Sequence, residues 1–393
     1  MSSQAGSIDR PTDWRSLALR LAAPVGAALA VVAIAWSIGF LADPDGPENA
    51  LIGLYTALGL NDQAAALSRE GLEPILSKGI IAVVGLALGI GGIWLIYLGA
   101  HAVLELLGPR WLARLTPWLF IGPALFLVGV FLVFPAVSTI ITSFTEGEGF
   151  VENYGFVFTD PDMLIALRNN ALWLVLATGG SVLLGLVIAT LVDRVKAESM
   201  AKTFIFLPLA ISMAGAAVIW RFVYAWQPAQ EAQIGLLNAG WTALGNDPVP
   251  WLQTPEVNTY LLILIMVWLQ TGFAMVVLSA AIKGISSEVI EAARCDGARE
   301  SQVFFRVIVP MIKGSIIVVA TTIAVAVLKV FDIVYVTTGG RFDTEVVANR
   351  MFAEMFRYRD LGHASALAVI LFLAVIPIMY INIRNLRRQG IEA

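Results

Sequence analysis

The chain alternates long apolar runs with short polar segments. Eight runs are long enough to cross the hydrocarbon core of a bilayer, which is about 30 Å thick and needs about 20 apolar residues per helix. They lie near residues 21–42, 79–100, 117–141, 170–192, 203–225, 259–282, 314–336 and 363–383. Because backbone polar groups in lipid must be satisfied within the segment, each run is predicted to be a helix. The pattern therefore predicts an all-α, polytopic transmembrane helical bundle of about eight spans.

The composition supports a membrane protein and excludes several other classes. The 393 residues are 58% hydrophobic and only 14% charged, whereas about a quarter of a soluble domain is charged. A net charge of −4 gives no indication of nucleic-acid binding. The one cysteine, Cys295, excludes an internal disulfide, and no Cys/His spacing is typical of a metal site. We interpret His101 and His363 as ordinary residues near the membrane interfaces.

The first apolar run is predicted to be retained as a transmembrane helix. Arg10, Arg15 and Arg20 precede it, and no small-residue cleavage site follows at the expected distance. These features favour a membrane span over a secretory signal peptide.

The distribution of basic residues predicts the orientation. If the N-terminus is cytoplasmic, the inner segments carry 16 of the 25 Lys and Arg residues and the outer loops carry seven. Cytoplasmic loops are enriched in Lys and Arg. We therefore predict that both termini and the loop at 283–313 are cytoplasmic.

The loop at 283–313 is long, amphipathic and rich in helix signals. Ser286 can cap a helix that continues through Ala293, because a serine oxygen can accept from free N–H groups at a helix start. Gly297 is placed to end that helix with a positive φ. A second helix follows, and Pro310 begins the next span. A simple solvated turn would be shorter than this loop. We therefore predict a short rigid helix between two spans that can transmit a mechanical displacement.

The same loop resembles a known motif. Glu291-Ala292-Ala293, three residues, Gly297, nine residues and then Val307-Ile308-Val309-Pro310 resemble the EAA loop of ABC-importer permeases. Val307 and Val309 stand where that family usually has Ile and Leu. The resemblance implies a type I ABC-importer permease in which this segment docks on an ATP-binding subunit. The implied coupling residues are Glu291, Ala292, Ala293, Asp296, Gly297 and Pro310.

Other segments resemble the carbohydrate-uptake (maltose/alpha-glucoside) branch of this family. They are 206–208, 268–273, 332–340 and 362–366, and the similarity extends over about residues 117–388. The eight-span layout resembles the larger, first permease subunit of maltose-type importers. The outer loop at 142–168 is short, however, and has no room for the folded domain that the maltose permease carries there. The resemblance implies import of an oligosaccharide, and in particular of an alpha-glucoside.

The domain organisation follows from this resemblance. Residues 1–116 hold the N-terminal cytoplasmic segment, two accessory spans and an outer loop. Residues 117–388 form a six-span permease core that includes the coupling loop at 283–313, and residues 389–393 form a cytoplasmic tail.

The chain is predicted not to be an enzyme and to bind no cofactor itself. A P-loop requires a Gly-Lys step, and this dipeptide is absent. ATP and Mg²⁺ are therefore assigned to a partner ATPase. The resemblance implies four partners in the cell inner membrane and at its surfaces: a second permease subunit, an ATP-binding subunit dimer, an extracytoplasmic solute-binding protein and membrane lipid.

Polar residues within the spans are the candidates for substrate binding, because polar groups in lipid usually face a cavity or a partner helix. By resemblance and by position, the candidates are Ser212, Gln270, Thr322, Lys329 and Asp332. Lys329 and Asp332 are three residues apart and are predicted to share one helix face. That pair either neutralises itself or lines the translocation path. Trp268 is interpreted as a packed interior tryptophan rather than a sugar-stacking residue.

The sequence is compatible with three alternative functions. An ion-coupled secondary transporter would require internal repeats and buried acids, and Asp332 is the one candidate acid. An ABC importer for glycerol phosphate is a second alternative, since Lys329 suits an anion. A membrane-embedded enzyme would need clustered acids, histidines or a nucleophile, and the loops offer no metal-ligand spacing.

Overall fold

The computed structural model describes residues 109–147, 149–193 and 197–392, together with the single residues Gly91, Trp94, Tyr97 and His101. Every regular element in these residues is helical, which confirms the all-α prediction. The predicted spans 21–42 and 79–100 lie outside the described ranges, apart from three of the single residues. The chain divides into two compact units, residues 1–134 and 135–393, which are described separately.

The described part of the first unit is a long apolar helix. Helix α1 (Pro109–Val128) contains Pro117 and Pro123 and continues into a π-helical turn, Gly129–Val133. The ring of Phe120 packs against that of Tyr97, with centroids 4.8 Å apart. The stretch Ala113–Thr145 is long and apolar enough to cross a membrane, in agreement with the span predicted at 117–141.

The second unit begins one residue inside α2 (Phe134–Thr145) and continues with four helices: α3 (Phe150–Thr159), α4 (Pro161–Val192), α5 (Glu198–Phe206) and α6 (Met213–Val223). Asp160 starts α4, because its carboxylate accepts a hydrogen bond from the N–H of Met163 at 3.0 Å. Helix α7 (Leu236–Ala243) lies in the loop after α6.

The rest of the unit contains α8 (Asn258–Lys283), α9 (Ser287–Cys295), α10 (Glu300–Val303), α11 (Val309–Met311), α12 (Lys313–Leu328), α13 (Asp332–Thr337), α14 (Val347–Ala353) and α15 (Leu361–Glu392). π-Helical turns at Phe304–Ile308 and Glu354–Tyr358 join α10 to α11 and extend α14. Among the described residues, four helices can span a membrane, or six if two bent pairs each count as one span.

One of these bent pairs interrupts the span that we predict at 203–225. The axes of Glu198–Ala210 and Met213–Val223 differ by 101°. Pro208 lies in a 3₁₀ turn that ends α5, and Ile211 is extended, with φ −87° and ψ 136°. A proline removes a backbone donor, and its ring clashes with the preceding turn, so the helix ends there. Hydropathy is continuous across the break and therefore does not reveal it.

The span predicted at 314–336 is also interrupted. Helix α12 ends at Leu328 and α13 begins at Asp332. Lys329 leaves the helical region at φ −99° and ψ 17°, and the N–H of Val330 bonds back to the carbonyl of Val327 in a tight turn. The approach to α12 bends as well, since Glu300–Met311 and Lys313–Leu328 differ by 70°.

The main hydrophobic core of the unit lies where α4 crosses α8. Trp173 of α4 and Leu262, Met266 and Met275 of α8 are all fully buried. Gly185 permits the close approach, because a Cβ there would collide with the Cβ of Ala274 and lie 2.9 Å from the N of Met275. The helices around this pair carry the candidate functional residues.

Candidate coupling segment and translocation path

Helix α9 has the ends that the sequence predicts. The Ser286 hydroxyl accepts a hydrogen bond from the N–H of Glu288 at 3.3 Å. At the other end, the N–H of Gly297 bonds to the carbonyl of Arg294 and the N–H of Ala298 to that of Ala293. This is a Schellman motif, which requires a left-handed residue, and Gly297 has a φ of +80°. The helix is therefore capped at both ends by local bonds.

Two faces of α9 have different surroundings. Ile290 and Ala293 are partly buried and pack against the main core. Glu291, Ala292 and Cys295 are exposed, on the other side of the helix. One side thus anchors the helix to the core of the second unit, and the other is free to contact a partner.

The segment after α9 connects it to α12. Arg294 donates to both carboxylate oxygens of Glu300, at 2.8 and 3.3 Å. This pair is half exposed, so it orients the turn but contributes little stability. Ile308 and Ile312 are buried, whereas Pro310 is exposed in the short helix α11. A displacement of α9 would therefore reach α12 through a chain of packed residues.

Ser212 lies at the break between α5 and α6. Its hydroxyl caps α6 by accepting from the N–H of Gly215 at 3.1 Å. The side chain is exposed, and a serine hydroxyl that accepts one bond can still donate another. The break therefore presents a polar group within an apolar stretch.

Thr322 and Lys329 lie on one face of the α12 segment. They are seven residues apart, which is close to two helical turns, and both side chains are exposed. The Thr322 hydroxyl donates to the carbonyl of Val318 at 2.8 Å. Lys329 and Val325, on the same face, line a cavity of about 560 Å³ whose other walls include Phe331 and Phe352. The cavity is mostly apolar, and Lys329 is the charged residue on its wall.

The prediction that Lys329 and Asp332 share one helix face is wrong, and so is the alternative that they neutralise each other. Lys329 follows the end of α12, and Asp332 is the first residue of α13. The helix break removes the shared face on which the prediction depended. The two side chains, both within the described ranges, form no ion pair with each other.

Gln270 lies on a third helix, α8, and is half-buried. Two residues further on, Gly272 permits contact with the end of α5, since a Cβ there would lie 2.5 Å from the carbonyl oxygen of Ile205. Trp268 packs against Trp220 edge to face, with ring centroids 5.7 Å apart, as expected for an interior tryptophan. The five candidates thus lie on α8, α12, α13 and the α5–α6 break, and only Thr322 and Lys329 share a helix face.

Two polar clusters were missed by the sequence reasoning. Near the predicted cytoplasmic ends of α4, α5 and α8, Lys202 bonds to Asp193 and Glu198, each at 2.7 Å, and to Ser279. Near the predicted outer end of its span, Arg221 donates to the carbonyl of Val336 at 3.2 Å. Lys202 and Glu198 are four residues apart on one helix, a spacing that a local pattern does show. The contacts with Ser279 and Val336 join residues 77 and 115 positions apart, so no local pattern shows them.

The Arg221 side of the molecule also contains a polar cavity of about 310 Å³. Arg221, Trp226, Gln253 and Arg341 are among the residues that line it. A signal was available, because an arginine within an apolar segment usually marks a cavity or a polar partner.

A family model described as "Binding-protein-dependent transport system inner membrane component" matches residues 181–389. This match covers more than half of the chain, including α9 with both caps. The chain belongs to this family. It is therefore a multi-pass membrane permease component of an ABC importer, as the EAA resemblance implies.

Curated relatives agree with this assignment. The osmoprotective compounds uptake permease protein GgtC of Synechocystis is 54% identical over 275 residues, which are 69% of this chain and 99% of that protein. The alpha-glucoside transport system permease protein AglF of Rhizobium meliloti is 47% identical over 279 residues, which are 70% of this chain and 83% of that protein.

A solved structure shows the same fold. A chain of a bacterial ABC transporter involved in the import of the acidic polysaccharide alginate matches with a TM-score of 0.62 and 20% identity. The match covers 71% of this chain and 99% of the other. The type I permease fold implied by the sequence resemblance is thereby supported at the level of structure.

Proposed function

We propose that this permease imports an oligosaccharide, of the alpha-glucoside class, by alternating access with a second permease subunit and an ATPase dimer. The observation that carries the coupling part is the geometry of α9, which is capped at both ends, anchored on one face and exposed on the other. The substrate class is supported by the 47% identity to a permease named for alpha-glucosides.

The coupling mechanism follows from where α9 lies in the chain. It connects α8, whose apolar part is mostly buried, to the bent approach to α12. A partner that pushes on Glu291, Ala292 and Asp296 would move Ile290 and Ala293 with them, since the helix is short and capped. The push would then reach α8 and α12 together. In this scheme the partner ATPase binds ATP and Mg²⁺, and this chain binds no cofactor itself.

The substrate path is assigned to the polar residues at the helix breaks. Ser212 and Thr322 offer hydroxyls, and Lys329 offers three N–H donors, which suit the hydroxyl groups of a sugar. Gln270 and Asp332 are the further candidates on neighbouring helices. A solute-binding protein at the outer face would deliver the sugar, as in a related alginate transporter whose crystal structure includes a periplasmic protein bound to an alginate pentasaccharide.

A second candidate substrate is a phosphorylated polyol such as glycerol phosphate. One observation favours it, namely the single ammonium group of Lys329 on the wall of an otherwise apolar cavity. A phosphate group would neutralise that charge, whereas a neutral sugar would not.

Uptake into proteoliposomes distinguishes the two substrates. The complete transporter is reconstituted with its solute-binding protein and ATP, and uptake of maltose, trehalose, sucrose and glycerol 3-phosphate is compared. We expect uptake of at least one alpha-glucoside and none of glycerol 3-phosphate. Uptake of glycerol 3-phosphate alone would replace the sugar assignment, and ATP-independent uptake by this chain alone would contradict an ABC importer.

A substitution that strains the backbone at the end of α9 tests the coupling role of this helix. Gly297→Val should lower substrate-stimulated ATPase activity at least about tenfold, because a β-branched residue at φ +80° disrupts the Schellman turn. Gly245→Val is the matched control, since Gly245 also has a positive φ, +86°, and open space around it, but lies in the loop after α7. Equal activity of the two variants, with the transporter assembled, would refute the assignment.

A further inference from the structure

His363 lies in a pocket of carboxylates at the N-terminal end of α15. Its side chain is 14% exposed and stacks on the ring of Phe156, with centroids 4.0 Å apart. The carboxylates come from three segments: Glu152 of α3, Glu354 of the π-helical turn after α14, and Asp360, the residue before α15. The side chain of Glu354 is only 4% exposed.

Both ring nitrogens of His363 face carboxylate oxygens. Nε2 lies 3.0 and 3.1 Å from the two oxygens of Glu152. Nδ1 lies 3.2 Å from Oδ2 of Asp360 and 3.8 Å from Oε2 of Glu354. A neutral imidazole has one N–H and one lone pair, so one nitrogen would present its lone pair to carboxylate lone pairs. The lone pair and the neighbouring carboxylate oxygens together form a donor set for a cation.

We propose that these residues bind a divalent first-row metal ion, with Zn²⁺ as its representative. The ligands are Nδ1 of His363, Oδ2 of Asp360 and Oε2 of Glu354, which all lie within 4.8 Å of one another. Imidazole and carboxylate are ordinary zinc ligands at about 2.0–2.2 Å, and three protein ligands leave one position for water. A cation there places the Nδ1 lone pair on the metal and removes the conflict.

The surrounding bonds hold the ligands in place. Nε2–H donates to Glu152, and such a carboxylate–histidine–metal arrangement fixes the tautomer and raises ligand basicity. Oδ1 of Asp360 caps α15 by accepting from the N–H of His363 at 2.9 Å. Oε1 of Glu354 accepts from Nε of Arg350 at 2.8 Å. Each carboxylate therefore has one oxygen bonded to the protein and directs the other towards Nδ1.

The charge balance favours a cation over an empty cluster. Three carboxylates surround His363, namely those of Glu152, Glu354 and Asp360. The nearby positive charge of Arg350 forms ion pairs with both Glu354 and Asp162, so it does not balance the three carboxylates. The chain between two of the ligands, Glu354 and Asp360, is strained, because Arg359 has a φ of +60°. A bound ion would stabilise this left-handed turn and the start of α15.

Metal analysis of the purified chain tests the proposal. The protein carries a tag without histidine, because the natural chain contains only two His residues. After incubation with Zn²⁺ and gel filtration, we expect about one Zn²⁺ per chain by elemental analysis. His363→Ala should reduce this to background, and His101→Ala, the matched control, should retain it. Equal zinc content in the wild type and His363→Ala would overturn the proposal.

Two further variants separate metal binding from folding. Asp360→Asn keeps the helix cap, because Asn caps as well as Asp, but it removes a charged ligand. Glu152→Gln changes only the residue that orients the ring, and such changes typically weaken metal binding about 10–100-fold. We expect both to weaken zinc affinity while the thermal unfolding of the zinc-free protein stays close to that of the wild type. If Zn²⁺ does not raise the unfolding temperature of the wild type, the metal site is refuted.

Discussion

Helices α8 and α15 are nearly equal in hydropathy but differ in what surrounds them. Both are apolar enough to cross a membrane, yet 67% of the most apolar part of α8 is buried and only 17% of that of α15. Large side chains such as Phe372, Met379 and Tyr380 of α15 are exposed. Hydropathy therefore identifies a span without telling whether protein or lipid covers it.

The difference indicates how each helix tolerates change. In α8, backbone atoms of neighbouring helices lie against small residues such as Gly272. In α15, protein packing is concentrated at the first turns, where Leu367 is fully buried against α3, α4 and α14. Core substitutions are costly because tight packing leaves no room for relaxation, whereas lipid adapts to an exposed side chain.

The largest effect is expected for Gly272→Val in α8. The new Cβ would lie 2.5 Å from the carbonyl oxygen of Ile205 and 2.8 Å from the Cα of Phe206. These are backbone atoms, so α5 must move, and we expect a loss of about 3 kcal/mol or more. Gly179→Val in α4 is the control, since nothing lies within 4 Å of its Cβ position. Thermal unfolding in detergent measures both, and similar unfolding temperatures would contradict the packing described here.

A second substitution tests whether the first turns of α15 are tightly packed. Leu367→Ala should destabilise the chain by about 3 kcal/mol, because it leaves a cavity in a fully buried position. Urea or heat denaturation of the detergent-solubilised protein gives the difference from wild type. A loss below about 1 kcal/mol would mean that even the start of α15 is not packed as tightly as α8.

A smaller, pH-dependent effect is expected at Glu345, in the loop between α13 and α14. Burial raises the pKa of this carboxyl, and hydrogen bonds from Asn349 and from the N–H of Val346 oppose the shift only in part. A raised folded-state pKa means that stability is greatest below the unfolded-state pKa and falls as the pH rises through the folded-state value. Glu345→Gln should thus unfold at a higher temperature than wild type at neutral pH.

The control for Glu345→Gln is the same comparison in acid. Below the unfolded-state pKa of glutamate, both side chains are neutral, and the two unfolding temperatures should converge. If the variant were less stable than wild type at neutral pH, the carboxylate would be stabilising and the sign of the argument would be wrong.

The smallest effect is expected for Phe372→Leu on the exposed side of α15. The phenylalanine side chain is 60% exposed, so the change should alter stability by no more than about 0.5 kcal/mol. Denaturation of the isolated chain provides the measurement. A larger loss would show that protein, rather than lipid or detergent, covers this part of α15.

Local signals in the sequence were sufficient for some elements. Ser286 and Gly297 mark both ends of α9, because capping depends on residues only a few positions apart. The apolar runs likewise locate α4, α8 and α15. Apolar residues continue through the breaks at Ser212 and after Leu328, so hydropathy alone locates neither of them.

Long-range contacts account for what the sequence concealed. His363 was interpreted as an isolated interface residue, yet it lies against Glu152, which is 211 positions away in the chain. Arg221 meets Val336 across 115 positions. No periodicity connects such residues, so only the fold shows that they form clusters.

The central claim, that an ATPase subunit docks on α9, can be tested with the single cysteine of the chain. Cys295 lies at the end of α9 and is exposed, with its thiol free. The rate of its reaction with a maleimide is measured for the permease alone and after the ATPase subunit is added. We expect rapid labelling of the free permease and at least about tenfold protection in the complex, because docking removes the thiol from solvent. An unchanged labelling rate in a complex that copurifies intact would contradict the account.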